Sequence, residues 1–365
     1  MNYFRALRYF DWVTFFLMFA LMCCGLVCIL SATYSAKIPY SLFFKKQLIG
    51  CLSGIVIYIL FCFIDYRRLS QWGHLLYIFL IGLLLFTLVK GSIGMGAQRW
   101  INLGFVKFQP SELTKLFLPA FIITYLHHSY ADYTQVQQRD LMSLLAIIGV
   151  SALLVAKQPD LGTGILIAAA GTCMVWCAGI NKKIFLLLVA LFCLCLPLSW
   201  KLLKPYQKQR IAVFFGEGEA RKERYQLEQG IIAIGSGGLT GKGYLRGTQN
   251  ILMFLPERRT DFIFAILCEE WGFVGACAVI ILYLLLFLRL MYITWSITSF
   301  YPQLLCFGLW IHIIFGAFVN MSMVMGMLPI VGIPLPLMSY GITNLWTTCA
   351  SLGWIQGIHI KRNNP

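Results

Sequence analysis

Apolar runs recur along this chain at about 12–31, 47–64, 74–89, 113–127, 141–156, 162–180, 184–200, 262–288, 303–326 and 337–358. A helix needs about 20 apolar residues to cross a bilayer core. Inside that core every backbone polar group must be satisfied internally, so only helices and closed barrels span it. The polar–apolar alternation of barrel strands is absent. The runs predict an all-α polytopic membrane protein of about ten transmembrane helices, one integral membrane domain over 1–365, with one long extracytoplasmic loop at about 201–261. Only 12% of the residues are charged, against about 25% in soluble domains, which excludes a soluble globular protein and a disordered tail. The first run follows Arg5 and Arg8 as a signal peptide's would. It is longer than the roughly 7–15 residues of a cleavable apolar region, so it reads as a retained anchor.

An even number of runs puts both termini on one side. Arg5, Arg8, Arg67, Arg68, Arg139, Lys182, Lys183, Arg289, Lys361 and Arg362 lie in short connections on that side, which marks it as cytoplasmic. The other nineteen of the 29 basic residues fall on the opposite face, eleven of them in the long loop. Long loops translocate whatever their charge; alternatively, those cations bind an anion. In a membrane protein of net charge +15 that anion is an anionic lipid surface or a lipid-linked substrate rather than nucleic acid. All thirteen cysteines sit in apolar runs and read as small packing residues. Cys173 and Cys177 share a helix face, but no histidine or second pair completes a zinc constellation.

Three connections on the outer face carry polar motifs. In Gly91–Lys115, Arg99-Trp100 is followed by Gln109-Pro110-Ser111-Glu112. Ser111 can cap the next helix, Glu112 suits its positive end, and Glu112 and Lys115 share a face three residues apart. That pair either fastens a helix start or lies beside a substrate. In Lys157–Thr163, Asp160 either caps the sixth span or serves the site. In the long loop, Glu217–Glu228 carries opposite charges at helical spacing, a solvated face. The stretch Ala233–Gly243 is glycine-rich with one lysine. It fails the phosphate-loop spacing because Ser236 replaces the first glycine and Gly243 the magnesium-binding hydroxyl.

The densest polar cluster is Glu257-Arg258-Arg259-Thr260-Asp261, running into an apolar helix that carries Glu269 and Glu270. Asp261 is either a helix cap or a catalytic base. Glu269 and Glu270 are costly in an apolar run and should face the bundle interior or a cavity. No Ser, Cys or His arrangement competes: His127 and His128 lie at a cytoplasmic helix end, and His74, His312 and His359 have no visible acidic partner.

These residues resemble a known family. Gln109–Lys115, Gln158–Thr163, Ala233–Gly243, Phe254–Phe264 and Gly332–Gly341 look like the signatures of the SEDS family (shape, elongation, division and sporulation), in the family's order across about 12–358. The Pro256-Glu257-Arg258 run is closer to its elongation branch than to its division branch. The resemblance implies a bacterial inner-membrane peptidoglycan glycosyltransferase that polymerises lipid II on the outer face. It implies no soluble cofactor; a divalent cation (magnesium or manganese) could share in neutralising pyrophosphate, although the sequence shows no carboxylate cage for it. The partners it implies are a class B penicillin-binding transpeptidase and other rod-complex proteins, in contact with membrane lipid. The family's essential aspartate falls on Asp261, and its lysine with paired acid on Lys115 and Glu112. Arg258, Arg210 and Lys115 become candidates to neutralise the leaving pyrophosphate, with Arg99 and Asp160 as further substrate-site residues. Two positions depart from the pattern: Ile342-Thr343-Asn344 stands where a second glycine and serines are usual, and Arg259 where a histidine is usual. Two other readings remain. A flippase for the lipid-linked precursor would use Glu269, Glu270 and the proline-broken stretch 328–336 as a path; a scaffold would only position a partner synthase.

Overall fold

The computed structural model describes residues 8–363 except 36, 38, 66, 68–70, 95–96, 103, 105–106, 130–137, 188–189, 191–193, 195–202 and 218–220. Arg5, Arg68, Cys193, Cys195 and most of the 184–200 run lie outside the described residues. The other nine runs are helices: α1 (Trp12–Thr33), α2 (Leu42–Phe63), α3 (Gly73–Lys90), α4 (Pro110–Ser129), α5 (Gln138–Lys157), α6 (Leu161–Cys177), then, after three shorter helices, α10 (Ile263–Ser296), α11 (Phe300–Val324) and α12 (Ile342–Asn363). Six of these, α1, α2, α3, α5, α10 and α11, are long and apolar enough to cross a membrane. The chain is a polytopic helical membrane protein. Leu52 and Ile78, about 60% exposed or more, are ordinary for a helix whose outer face meets lipid rather than water.

The 201–261 stretch holds the three shorter helices, α7 (Pro205–Phe214), α8 (Arg221–Ser236) and α9 (Thr248–Ile251). On α8 the expected solvated pairing is present, with Arg224 and Glu228 2.9 Å apart and both exposed. An all-α expectation misses one element. Between α3 and α4, β1 (Ser92–Gly94), β2 (Ala97–Asn102) and β3 (Lys107–Phe108) form an antiparallel sheet in the order β1-β2-β3. Its register pairs Ile93 with Gln98 and Ile101 with Phe108. Gly104, at φ +85°, lies between β2 and β3, and the alternation over Gln98–Asn102 puts Arg99 and Ile101 on one face.

Ion pairs mark the two ends of the bundle. At one end Arg289 of α10 binds Asp11 ahead of α1 at 2.7 Å, and Lys361 of α12 binds Asp65 after α2 at 3.1 Å. The starts of α4, α6, α10 and α12 meet at the other end, where the motif residues gather. α12 packs along α2, and α11 is the most enclosed of the six long apolar helices, with Leu305, Leu309 and Ile313 fully buried.

Candidate active site

Asp261 lies in the turns that lead into α10. Opposite it, Gly332 has φ +75°, which an L side chain rarely adopts. A Cβ there would come 3.5 Å from Asp261 Oδ2 and 4.0 Å from Arg210 Nη1. Glycine is favoured there by its φ rather than by lack of room, and the carboxylate and guanidinium lie on the same side of it. Arg210 comes from α7 and Arg99 from β2. Burial raises the Asp261 carboxyl to about 6 and Glu257 pushes the same way, while Arg99, Arg210 and a hydrogen bond from Thr260 pull it back. The aspartate is thus ionised at neutral pH yet a far better proton acceptor than an exposed one.

Arg99 is held by the buried Asp160, Nη1 to Oδ2 at 3.0 Å. Asp160 also accepts from Thr163 N at 3.3 Å, capping α6, and from Gln109 Nε2 at 2.8 Å. The cap is present, and the same carboxylate also anchors Arg99, whose charge acts on Asp261.

Glu112 and Lys115 form the expected pair, with Nζ 2.9 and 2.8 Å from the two carboxylate oxygens, and both are buried. The Ile342-Thr343-Asn344 departure is part of this assembly. Asn344 Nδ2 donates to Glu112 Oε2 at 2.8 Å, while Thr343 Oγ1 accepts from Gln109 N at 3.4 Å. His312, which the sequence left without a partner, faces Lys115 across a cavity of about 10 Å³ lined also by Thr114, Met174 and Gly308.

Arg258 reaches α1. Its Nε donates to the Ala32 carbonyl at the end of α1, at 2.7 Å. Arg259 stacks its guanidinium over Phe43 at 3.8 Å. Among the described residues no group of three or more His, Cys, Asp or Glu could hold a metal ion.

Glu269 and Glu270 face inward as expected, but toward the chain's own loop. Glu269 Oε1 accepts from Lys242 Nζ at 2.8 Å, Thr248 Oγ1 at 3.0 Å and Gln249 N at 3.0 Å. Glu270 accepts from Ser31 of α1. Gly272, at φ +65° and ψ −161°, kinks α10 there. The glycine-rich stretch docks on the kink through Lys242 N to Glu269 O and Phe273 N to Gly238 O, at 3.0 and 2.9 Å. These carboxylates fasten a loop, which removes their use as a transport path. The sequence alone drew no notice to Asn320, and it marked Gly332, Ser339 and Asn344 only as parts of the 332–341 signature and the 342–344 departure, without a role of their own. Asn320 and Asn344 both carried a usable signal, as amides inside apolar runs.

The chain is similar to known proteins along nearly its whole length. The family model described as cell cycle protein, covering FtsW, RodA and SpoVE, matches residues 11–364. The chain is 40% identical over 311 residues to the peptidoglycan glycosyltransferase MrdB of Escherichia coli K12, covering 85% of this chain and 83% of that one. It is 31% identical to the peptidoglycan glycosyltransferase RodA of Treponema pallidum, over 98% of this chain and 99% of the other. Among solved structures, a chain from a peptidoglycan synthase complex that coordinates polymerisation and crosslinking superposes with a TM-score of 0.82 at 28% identity, covering 98% of this chain and 99% of that one. The crystal structure of Thermus thermophilus rod shape determining protein RodA superposes at 0.72, also at 28% identity, covering 98% of each chain.

Proposed function

Because this chain belongs to the cell cycle protein family of FtsW, RodA and SpoVE, we propose that it is a peptidoglycan glycosyltransferase that polymerises lipid II into glycan strands during cell elongation. The observation that carries the catalytic assignment is Asp261, its carboxyl raised to about 6, beside Arg210 and under the charge of Arg99. In the reaction a sugar hydroxyl of one substrate attacks the anomeric carbon of another, and a lipid pyrophosphate leaves. Asp261 takes the hydroxyl proton as general base, a contribution of typically 10²–10⁴-fold. Arg210 and Arg99 stabilise the negative charge that develops on the leaving pyrophosphate. Lys115, neutralised by Glu112, supports the same end of the bundle from α4.

The short basic connections at the Asp11–Arg289 end make that end cytoplasmic. Asp261 then opens on the outer face of the bacterial inner membrane, where lipid II is presented. A class B penicillin-binding transpeptidase fits as partner, since a neighbour of this fold works in a complex that joins polymerisation to crosslinking.

The test is polymer formation from lipid II by the purified protein in detergent, where flipping has no sealed bilayer to act across. Wild type makes glycan polymer and Asp261→Asn makes none while inserting normally. Absence of polymer from a folded wild-type protein supplied with its transpeptidase would sink the enzyme reading.

A further inference from the structure

The segment carrying Asp261 has no helical ladder of its own: residues 256–262 are turns, and α10 starts at Ile263. Its backbone carbonyls are nevertheless occupied in sequence. Arg259 O accepts from Tyr340 N at 2.9 Å, Thr260 O from Ser339 Oγ at 2.5 Å and Asp261 O from Asn320 Nδ2 at 2.9 Å. All three donors belong to α11 or to the chain between α11 and α12. Asn320 Nδ2 also donates to Ile333 O at 2.8 Å, and Ser339 Oγ accepts from Leu335 N at 2.8 Å. Two side chains thus tie the Asp261 segment to the proline-broken stretch that holds Gly332 against the carboxylate.

Asn320 is fully buried inside a spanning helix, where an amide is costly unless its hydrogen bonds are made. Its donor is spent on the two carbonyls that bracket the site. We propose that Asn320 and Ser339 are positioning residues of the polymerase: they clamp the Asp261 backbone to the 332–339 stretch and so hold the carboxylate in the space beside Gly332 that Arg210 also enters. This rests on the general-base reading of Asp261. Neither side chain touches the reacting atoms; each acts through the backbone of the base. Proton transfer between oxygens tolerates little misplacement, so a loosened base lowers turnover far more than substrate binding.

A loosened carboxylate also gains water. Burial is the largest influence raising it, so its proton affinity falls when the clamp opens. The groups facing it are Glu257 and Thr260 of its own segment, Arg99 of β2 and Arg210 of α7. The 328–336 stretch has no titratable side chain, and His312 of α11 faces Lys115.

The experiment measures polymerisation against pH and lipid II concentration in detergent for wild type, Asn320→Leu, Ser339→Ala, Ser339→Thr and Asp261→Asn, with a melting curve for each. Expected are a fall in kcat of roughly tenfold for Asn320→Leu and a smaller one for Ser339→Ala, with KM within about twofold. The acid limb of both moves down by about half a pH unit or more. Ser339→Thr, which keeps the hydroxyl, holds the wild-type limb. If Asn320→Leu does not fold, Ser339→Ala against Ser339→Thr carries the same comparison. An unmoved acid limb in folded variants overturns the clamp, whether kcat is unchanged or falls in step with melting temperature. Asp261→Asn separates the two failures. If it is inactive while the limb stays put, the clamp alone fails; if it is active, the general-base reading fails and the clamp with it.

Discussion

Asp261 combines two demands that oppose each other. Its carboxyl must be ionised to act as a base, yet burial raises it to about 6 from an ordinary 3.8. A group whose folded-state value is raised costs stability once it ionises. The cost is absent below about pH 4, grows through the window up to about 6, and is complete above it. Asp261→Asn is neutral throughout, so it should melt higher than wild type at pH 8, by the equivalent of about 3 kcal/mol. That gap should close near pH 4. Equal gaps at both pH values would mean that the carboxylate is not desolvated. The arginines part company in the same way. Arg210 shares Asp261's space, whereas Arg258 serves Ala32 at the end of α1. Arg210→Gln should lower polymer yield most at limiting lipid II with little change in melting. Arg258→Gln should instead lose a charge-assisted hydrogen bond of about 1.5–3 kcal/mol in stability. Titrating lipid II against both mutants, alongside their melting curves, separates the roles, and the reverse pattern would exchange them.

The start of α4 is assembled from two distant parts of the chain. Glu112 and Lys115 meet because three residues make nearly one helical turn, and that much is readable from spacing. Asn344, which completes Glu112's coordination, lies 232 residues away at the start of α12. Lys115→Ala leaves a buried carboxylate without its cation, a loss of about 3–5 kcal/mol in such pairs. The double exchange Glu112→Gln with Lys115→Gln should restore most of the melting temperature. If polymerisation returns with it, the pair is structural; if the protein melts normally and makes no polymer, the lysine serves substrate. A double mutant no more stable than Lys115→Ala would show that the loss was not an orphaned charge.

Across the molecule, one carboxylate sets how the loop sits on the bundle. Glu269 gathers Lys242, Thr248 and the Gln249 amide, and the kink at Gly272 receives the backbone of Gly238 and Leu239. Glu269→Ala releases all three donors together. The prediction is faster proteolysis within 237–250 in detergent, with the spanning helices intact. Unchanged cleavage there would remove Glu269 from the fastening of the loop.

The spanning helices were legible along the chain because bilayer solvation acts on each segment separately: a run of apolar residues must be helical there whatever its neighbours do. The same local logic reached the Glu112–Lys115 pair and the capping by Asp160, since both depend on residues within one helical turn. Asp261 was reached by resemblance and by the cost of an acid at the mouth of an apolar helix. What no local pattern carried was which charge faces which. Arg99 reaches Asp261 only because a three-stranded sheet turns it toward Asp160, and Arg258, beside Asp261 in sequence, is claimed by α1. Glu269 and Glu270 were placed inside the bundle correctly, but a buried carboxylate looks the same in sequence whether it serves a substrate path or its own loop. Pairings over hundreds of residues are chosen by packing, because an ion or amide taken out of water accepts whichever partner the folded chain brings within hydrogen-bonding distance.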